Sequence, residues 1–181
     1  MKAIDLGLSI KWANQNLGAS SPTEAGERYA WAELAPKKEY KWENYKDWVA
    51  SGLYGPYKES HFCRKIEKIQ SADDAVTHRY GKPWRIPTAD EFKELLQNCR
   101  WVKTTENGMN GYRVYGKNNN SIFLPAGEVH SGLVHYWSAS RMVKNPQYAK
   151  ILDLCNREPR IEYRSRCYGF YLRGIYDEQL I

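Results

Sequence analysis

The sequence predicts an α+β fold of short antiparallel strands with two short helices, and three observations carry that reading. An amphipathic helix with a well-marked start follows Pro87. A hairpin pattern surrounds Lys117–Asn120, and a succession of short strand patterns fills the chain after Tyr136. At 181 residues one domain is expected, large enough to bury a core without staples. No internal repeat or low-complexity linker marks a boundary.

Taken in order, residues 4–13 alternate around Gly7 and predict an opening strand, with a turn over Asn16 to Ser21. Pro22 and Glu24 predict a short helical turn that Gly26 ends, and Tyr29 to Ala32 a strand. Pro36 to His61 shows no clear period and many Lys, Tyr and Trp, so it predicts a long surface excursion pinned by aromatics. Ser71 to Tyr80 predicts a short helix with Ser71 as its cap and Asp73 and Asp74 in its first turn.

The helix after Pro87 is the most legible element. Thr88 can accept a backbone N–H bond, and Glu91 can reach back to the Thr88 amide, which makes a capping box. Phe92, Leu95, Leu96 and Cys99 form one apolar stripe, while Asp90, Lys93, Glu94 and Gln97 face water. Trp84 and Trp101 bracket it, which suits a helix laid across a sheet. Gly111 to Tyr115 and Ser121 to Leu124 flank the turn residues Lys117 to Asn120 as a hairpin. Tyr136 to Ser140, Ala149 to Leu154, Arg160 to Arg164 and Tyr168 to Ile175 follow as strands.

Composition narrows the function classes. Aromatics make up 14% of the chain, yet mean hydropathy is −0.74, so burial must rest on Trp and Tyr more than on aliphatic runs. No window approaches the roughly 18 apolar residues of a membrane helix, and the residues after Met1 lack a signal-peptide pattern. A soluble chain without an address is therefore expected. The net charge of +6 admits an anionic partner without requiring one. Cys63, Cys99, Cys155 and Cys167 have no CxxC spacing, so no zinc site is expected and Cys99 reads as a core residue. Cys155 and Cys167 fall on segments that, as adjacent strands, would permit a disulfide; free buried thiols are the favoured reading. His61, His78, His130 and His135 are scattered, and the flanking of a short loop by His130 and His135 is a weak metal signal. The sequence holds no Ser-His-Asp order, phosphate loop or dinucleotide fingerprint.

Seven separated segments, IDLGLSIKWANQNLGASSP, YAWAEL, KPWRIPTADEFKELLQNC, NGMNGYRV, NSIFLPAGE, YWSAS and YGFYLRGIY, together resemble the bacterial "major paralogous" domain family, FISUMP. That family is common in Bacteroidetes-type genomes and related to C-type-lectin-like proteins. The resemblance runs in family order over nearly the whole chain. It implies a C-type-lectin-like fold: two short helices around a small twisted antiparallel sheet, termini close together, and long surface loops. It also implies a ligand-binding module at a bacterial surface or secreted, and relatives serve as variable receptors of diversity-generating retroelements. The varied stretch would correspond to Tyr136 to Gly169 here. Two departures point to a remodelled loop face: EVHSGLVH is shorter than the family's insertion, and LRGIY stands where VRPV is common.

The chemistry that this fold hosts elsewhere is weighed on the residues present. Calcium-dependent sugar binding needs carboxylate and amide oxygens followed by a Trp-Asn-Asp run, which is missing, and Glu158-Pro159 is followed by Arg160. Formylglycine-generating enzymes use a reactive cysteine pair and copper; Cys155 and Cys167 invite the comparison, but the remaining motifs are not recognisable. The expectation is a binding module without catalytic residues, metal or cofactor. Its surface is expected to include Tyr136, Arg141, Lys144, Tyr148, Lys150, Asp153, Asn156, Arg157, Arg160, Tyr163, Arg164, Arg166 and Tyr168, since Arg and Tyr combine large contact area with fixed hydrogen-bond geometry. Asp153, Glu158 and Glu162 interrupt the positive charge, which favours a protein or glycan partner over nucleic acid.

Overall fold

The computed structural model describes residues 1–47, 67–126, 134–155 and 158–181. The second half of the expected surface excursion, with His61 and Cys63, lies outside these residues, as do His130, Asn156 and Arg157.

The opening strand is split in two. Gly7 takes φ +73°, a left-handed bend that ends β1 (Ala3–Ile4) before β2 (Lys11–Asn16) begins. Pro22 starts no helix; a single hydrogen bond from Glu24 N–H to Ser21 O, 3.2 Å, closes a turn. β3 is only Arg28–Tyr29, because the chain turns at Ala32, where φ is +62°. A 3₁₀ turn at Ser71–Asp73 precedes α1 (Ala75–Tyr80), and its cap is Asp74 rather than Ser71. The Asp74 carboxylate accepts from Val76 and Thr77, and its second oxygen accepts from Ile86 N–H at 2.8 Å. One buried carboxylate thus ties the helix start to the strand that follows it.

β4 (Trp84–Arg85) leads to α2 (Ala89–Asn98), where the expected capping box is present. Glu91 N–H donates to Thr88 Oγ1 at 3.3 Å, and Thr88 N–H donates to the Glu91 carboxylate at 2.6 Å. Phe92 and Leu95 are fully buried, and Phe92 packs 5.3 Å from the Trp12 ring. Cys99 is only half-buried, as the last residue of the helix stripe. β5 (Arg100–Glu106) and β6 (Met109–Tyr115) form a hairpin that was not anticipated; Asn107 and Gly108 both take positive φ, the turn whose twist matches antiparallel strands. β6 then pairs with β7 (Ser121–Pro125) as expected, with Tyr115 opposite Ser121. β8 (His135–Arg141), β9 (Tyr148–Asp153) and β10 (Arg160–Ser165) follow. The expected last strand is broken at Leu172 into β11 (Phe170–Tyr171) and β12 (Arg173–Tyr176), which belong to different sheets.

The strands make three small sheets, ordered β1-β2-β12-β4, β10-β9-β8-β11-β3 and β5-β6-β7. Every ladder is antiparallel except that of β11 with β8. The N- and C-terminal segments meet where β12 lies beside β2. Strand alternation puts Trp137, Ile151 and Phe170 into a core shared with α1, and Tyr136 and Leu152 into a second core shared with α2 and the three-stranded sheet. Buried tryptophans lock the layers: Trp137 Nε1 donates to Tyr29 O and Trp31 Nε1 to Ser138 O, both at 2.9 Å. The middle of the five-stranded sheet is therefore covered on both faces, and its edge strands are β10 and β3. Among the described residues no helix is long and apolar enough to cross a membrane.

Candidate functional site

The stretch from Tyr136 to Tyr168 folds as β8, β9 and β10, and its register sorts the expected surface residues. Tyr163 pairs with Lys150 and Ser165 with Tyr148, so Tyr148, Lys150 and Tyr163 share one face, on the side where α2 packs. Arg160 pairs with Asp153 and Arg164 with Ala149, so both arginines stand on the opposite face. The basic and aromatic residues that look contiguous in sequence are divided between two faces. Tyr148, Tyr163 and Tyr168 are exposed, as are Lys144 and Arg160.

Four of the expected contact residues are inside the molecule. Tyr136 is fully buried; its hydroxyl donates to Pro125 O at 2.7 Å and accepts from Asn16 Nδ2 at 3.0 Å. Asp153 is also fully buried, and Arg141 is buried with its backbone N–H on Glu67 O. Arg166 is buried between the rings of Trp31 and Tyr45, with Asp47 at 3.3 Å. Sequence alone could not separate Arg166 from the exposed arginines, because its burial depends on rings brought in from residues 31 and 45. The exposed basic groups are partly neutralised: Arg160 Nε lies 2.8 Å from Glu162, and Arg164 lies 3.9 Å from Asp153.

A second constellation lies at the far end of the same ladder. His135, at the start of β8, is directly opposite Asp153, at the end of β9, and Cys155 follows two residues on. Asp153 Oδ1 lies 3.3 Å from His135 Nδ1 and accepts the Cys155 N–H at 2.8 Å. Cys155 Sγ lies 3.7 Å from His135 Nδ1 and 4.0 Å from Nε2, and it accepts the Val134 N–H at 3.0 Å. His135 and Asp153 are buried, whereas Cys155 is exposed. Desolvation pushes the imidazole below its ordinary pKa, with Asp153 pulling the other way, and it pushes the Cys155 thiol up. Spacing rules for metal sites do not see this cluster, since it is assembled across two strands. The signal present was Asp-Leu-Cys, whose first and third residues share a strand face.

The other described cysteines stand apart. Cys167 is buried with Ala30 and Tyr45, and Cys99 is half-buried at the end of α2; burial raises both thiols. Cys155 and Cys167 lie beyond opposite ends of the β9–β10 ladder, whose terminal pairs, five residues apart, are separated by about 17 Å. They cannot form a disulfide, and they cannot act as a cysteine pair on one metal.

One further concavity, of about 450 Å³, is lined by Lys11, Arg85, Glu91, Asp177 and Glu178 among others. Its charges answer one another: Arg85 pairs with Glu91 at 2.5 Å and with Asp177 at 2.8 Å, and Lys11 pairs with Glu178. That network fastens α2 to β4 and the C-terminal turn.

The fold and these sites define a mixed α+β protein of small antiparallel sheets with an aromatic, basic sheet edge and a three-donor polar cluster. Comparison of the chain with protein-family models, with curated proteins and with solved structures returns no match.

Proposed function

We propose that this chain is a ligand-binding module of C-type-lectin-like architecture that engages a protein or glycan through the outer surface of β9 and β10. One observation carries the reading. Among the described residues, the exposed large aromatic side chains are Tyr148, Tyr163 and Tyr168, all in this stretch, while the other described tyrosines and tryptophans are buried or half-buried. Tyr148 and Tyr163 are diagonal neighbours on one face, with Lys150 directly opposite Tyr163. Aromatic rings on paired strands supply large contact area at low entropic cost.

The split between inside and outside supports the variable-receptor form of the reading. Tyr136, Trp137, Ser138 and Phe170, which match the family frame, are buried, whereas Lys144, Tyr148, Arg160, Tyr163 and Tyr168 are exposed. The surface residues are free to vary without touching the core. Nucleic acid fits less well, because Arg160, Arg164 and Arg166 each have a carboxylate beside them.

The test compares the unmodified chain with Tyr148→Ala/Tyr163→Ala on arrayed glycans and on a displayed protein library. Binding lost in the double variant at unchanged thermal stability supports this surface. Binding retained at full strength places the contact elsewhere. A reverse transcriptase gene beside a near-copy of the coding region for residues 136–169 would establish the variable-receptor form.

A further inference from the structure

We propose that His135, Asp153 and Cys155 form a binding site for one zinc-class divalent cation, with one coordination position open to solvent. The inference stands independently of the ligand surface argued above.

Two of the donor separations match those of a tetrahedral site. Zinc binds imidazole nitrogen at about 2.0–2.1 Å, carboxylate oxygen at about 2.0–2.2 Å and thiolate at about 2.3 Å, so a tetrahedral site sets N···O near 3.4 Å and N···S near 3.6 Å. The separations here are 3.3 Å from Nδ1 to Oδ1 and 3.7 Å from Nδ1 to Sγ. All three donor atoms lie within 4.8 Å of one another. Sγ stands nearly equidistant from Nδ1 and Nε2, off the Nδ1 lone-pair axis, so the imidazole must turn for nitrogen, oxygen and sulfur to close on one cation.

The surroundings hold the donors in place. His135 and Asp153 are fixed as a direct cross-strand pair, and Leu154 N–H to Val134 O, 3.0 Å, carries the ladder one step past them. Cys155 is fastened by its own N–H to Asp153, while Val134 N–H points at its sulfur, as amides do at metal-bound thiolates. The Arg164 guanidinium approaches Asp153 Oδ2, which leaves Oδ1 turned toward the imidazole and the sulfur.

The donor set selects the metal. A thiolate and an imidazole favour zinc and its neighbours, whereas calcium and magnesium take oxygen cages. On binding, the S–H proton leaves to solvent, and thiolate plus carboxylate then match the two charges of the cation. Because Cys155 is exposed while its partners are buried, the cation enters from the sulfur side, where water completes the shell. The arrangement does not suit a nucleophile relay. In a relay the thiol and the carboxylate occupy opposite ring nitrogens, but here both lie closest to Nδ1.

The full chain, stripped with a chelator, is titrated with Co²⁺ and then with Zn²⁺. The expected result is one equivalent bound, with tetrahedral cobalt absorption, a thiolate-to-cobalt charge-transfer band, and displacement by zinc. Cys155→Ser should lose that band and bind zinc about a hundredfold more weakly or worse. Cys99→Ser should behave as the unmodified chain. Absence of a saturable cobalt spectrum, or a band that survives Cys155→Ser, overturns the site. Asp153→Asn, if it folds by circular dichroism, should keep the band with at least about tenfold weaker affinity. Cys155 is exposed, so its replacement decides the matter even if the buried variant does not fold.

Discussion

Arg173 and Tyr136 meet at a point where all three sheets join. The Arg173 guanidinium, fully buried in β12, donates to Ala13 O of β2 at 2.9 Å and to Phe123 O of β7 at 2.7 Å, and its charge acts on the Tyr136 hydroxyl in β8. Burial lowers its pKa to about 10, with Tyr136 opposing that shift, so it stays charged at neutral pH. Arg173→Met would leave two buried carbonyls without this donor. The expected cost is about 3 kcal/mol, read as a lower urea midpoint at unchanged slope. A loss below about 1 kcal/mol would mean that the hub is dispensable.

Glu91 is the residue through which acid should act. Burial raises its carboxyl, but Arg85 and the Thr88 N–H more than offset that, and the pKa falls below its ordinary value of 4.5. A carboxyl depressed on folding contributes stability that is complete above 4.5 and is lost as pH drops through the folded value. Glu91→Gln should therefore cost about 2 kcal/mol near neutrality. The gap between variant and unmodified chain should close as pH is lowered below about 4.5. Denaturation curves at several pH values measure this, and a gap that is constant with pH would assign the effect to packing.

What could be read from the sequence was local. Thr88 and Glu91 cap a helix by chemistry within four residues, and the β6–β7 hairpin is signalled by its own turn, so both were legible. Asn107-Gly108 is an equally local signal for the β5–β6 hairpin. Asp74 took the cap from Ser71 because its carboxylate also reaches Ile86, twelve residues away. The strands after Tyr136 were legible in position but not in orientation. Alternation along β10 sends Tyr163 and Arg164 to opposite faces, and only the register with β9 says which face each takes. The His135 cluster was invisible for the same reason, since its members meet through strand pairing.

Gly116 carries a contact that no side chain allows. A Cβ there would lie 2.1 Å from Leu6 O, backbone against backbone, where Asn118 and Asn120 both donate to Asp5 O. The asparagine turn is thus a clasp on the chain after β1 as well as a hairpin end. Gly116→Ala must part the two segments and should cost about 2–3 kcal/mol. Gly108→Ala meets open space and only positive-φ strain, about 1 kcal/mol. Thermal melts of the two variants should preserve that order; equal losses would mean that the clasp yields easily.

Cys155 separates a metal-ligand thiol from a catalytic one by its reactivity. A nucleophilic cysteine has a depressed pKa, whereas desolvation raises this one, so in the metal-free chain it should alkylate more slowly than a free thiol at neutral pH. Its exposure should still make it faster than Cys167, which is buried beside Tyr45 with its own pKa raised. Alkylation by iodoacetamide, followed residue by residue by peptide mass spectrometry, gives both rates. Raising the pH should accelerate Cys155 well beyond the range in which a depressed thiol would already have levelled off. A rate at neutral pH above that of a free thiol, flat with further alkali, would point to an activated nucleophile and reopen the enzymatic reading.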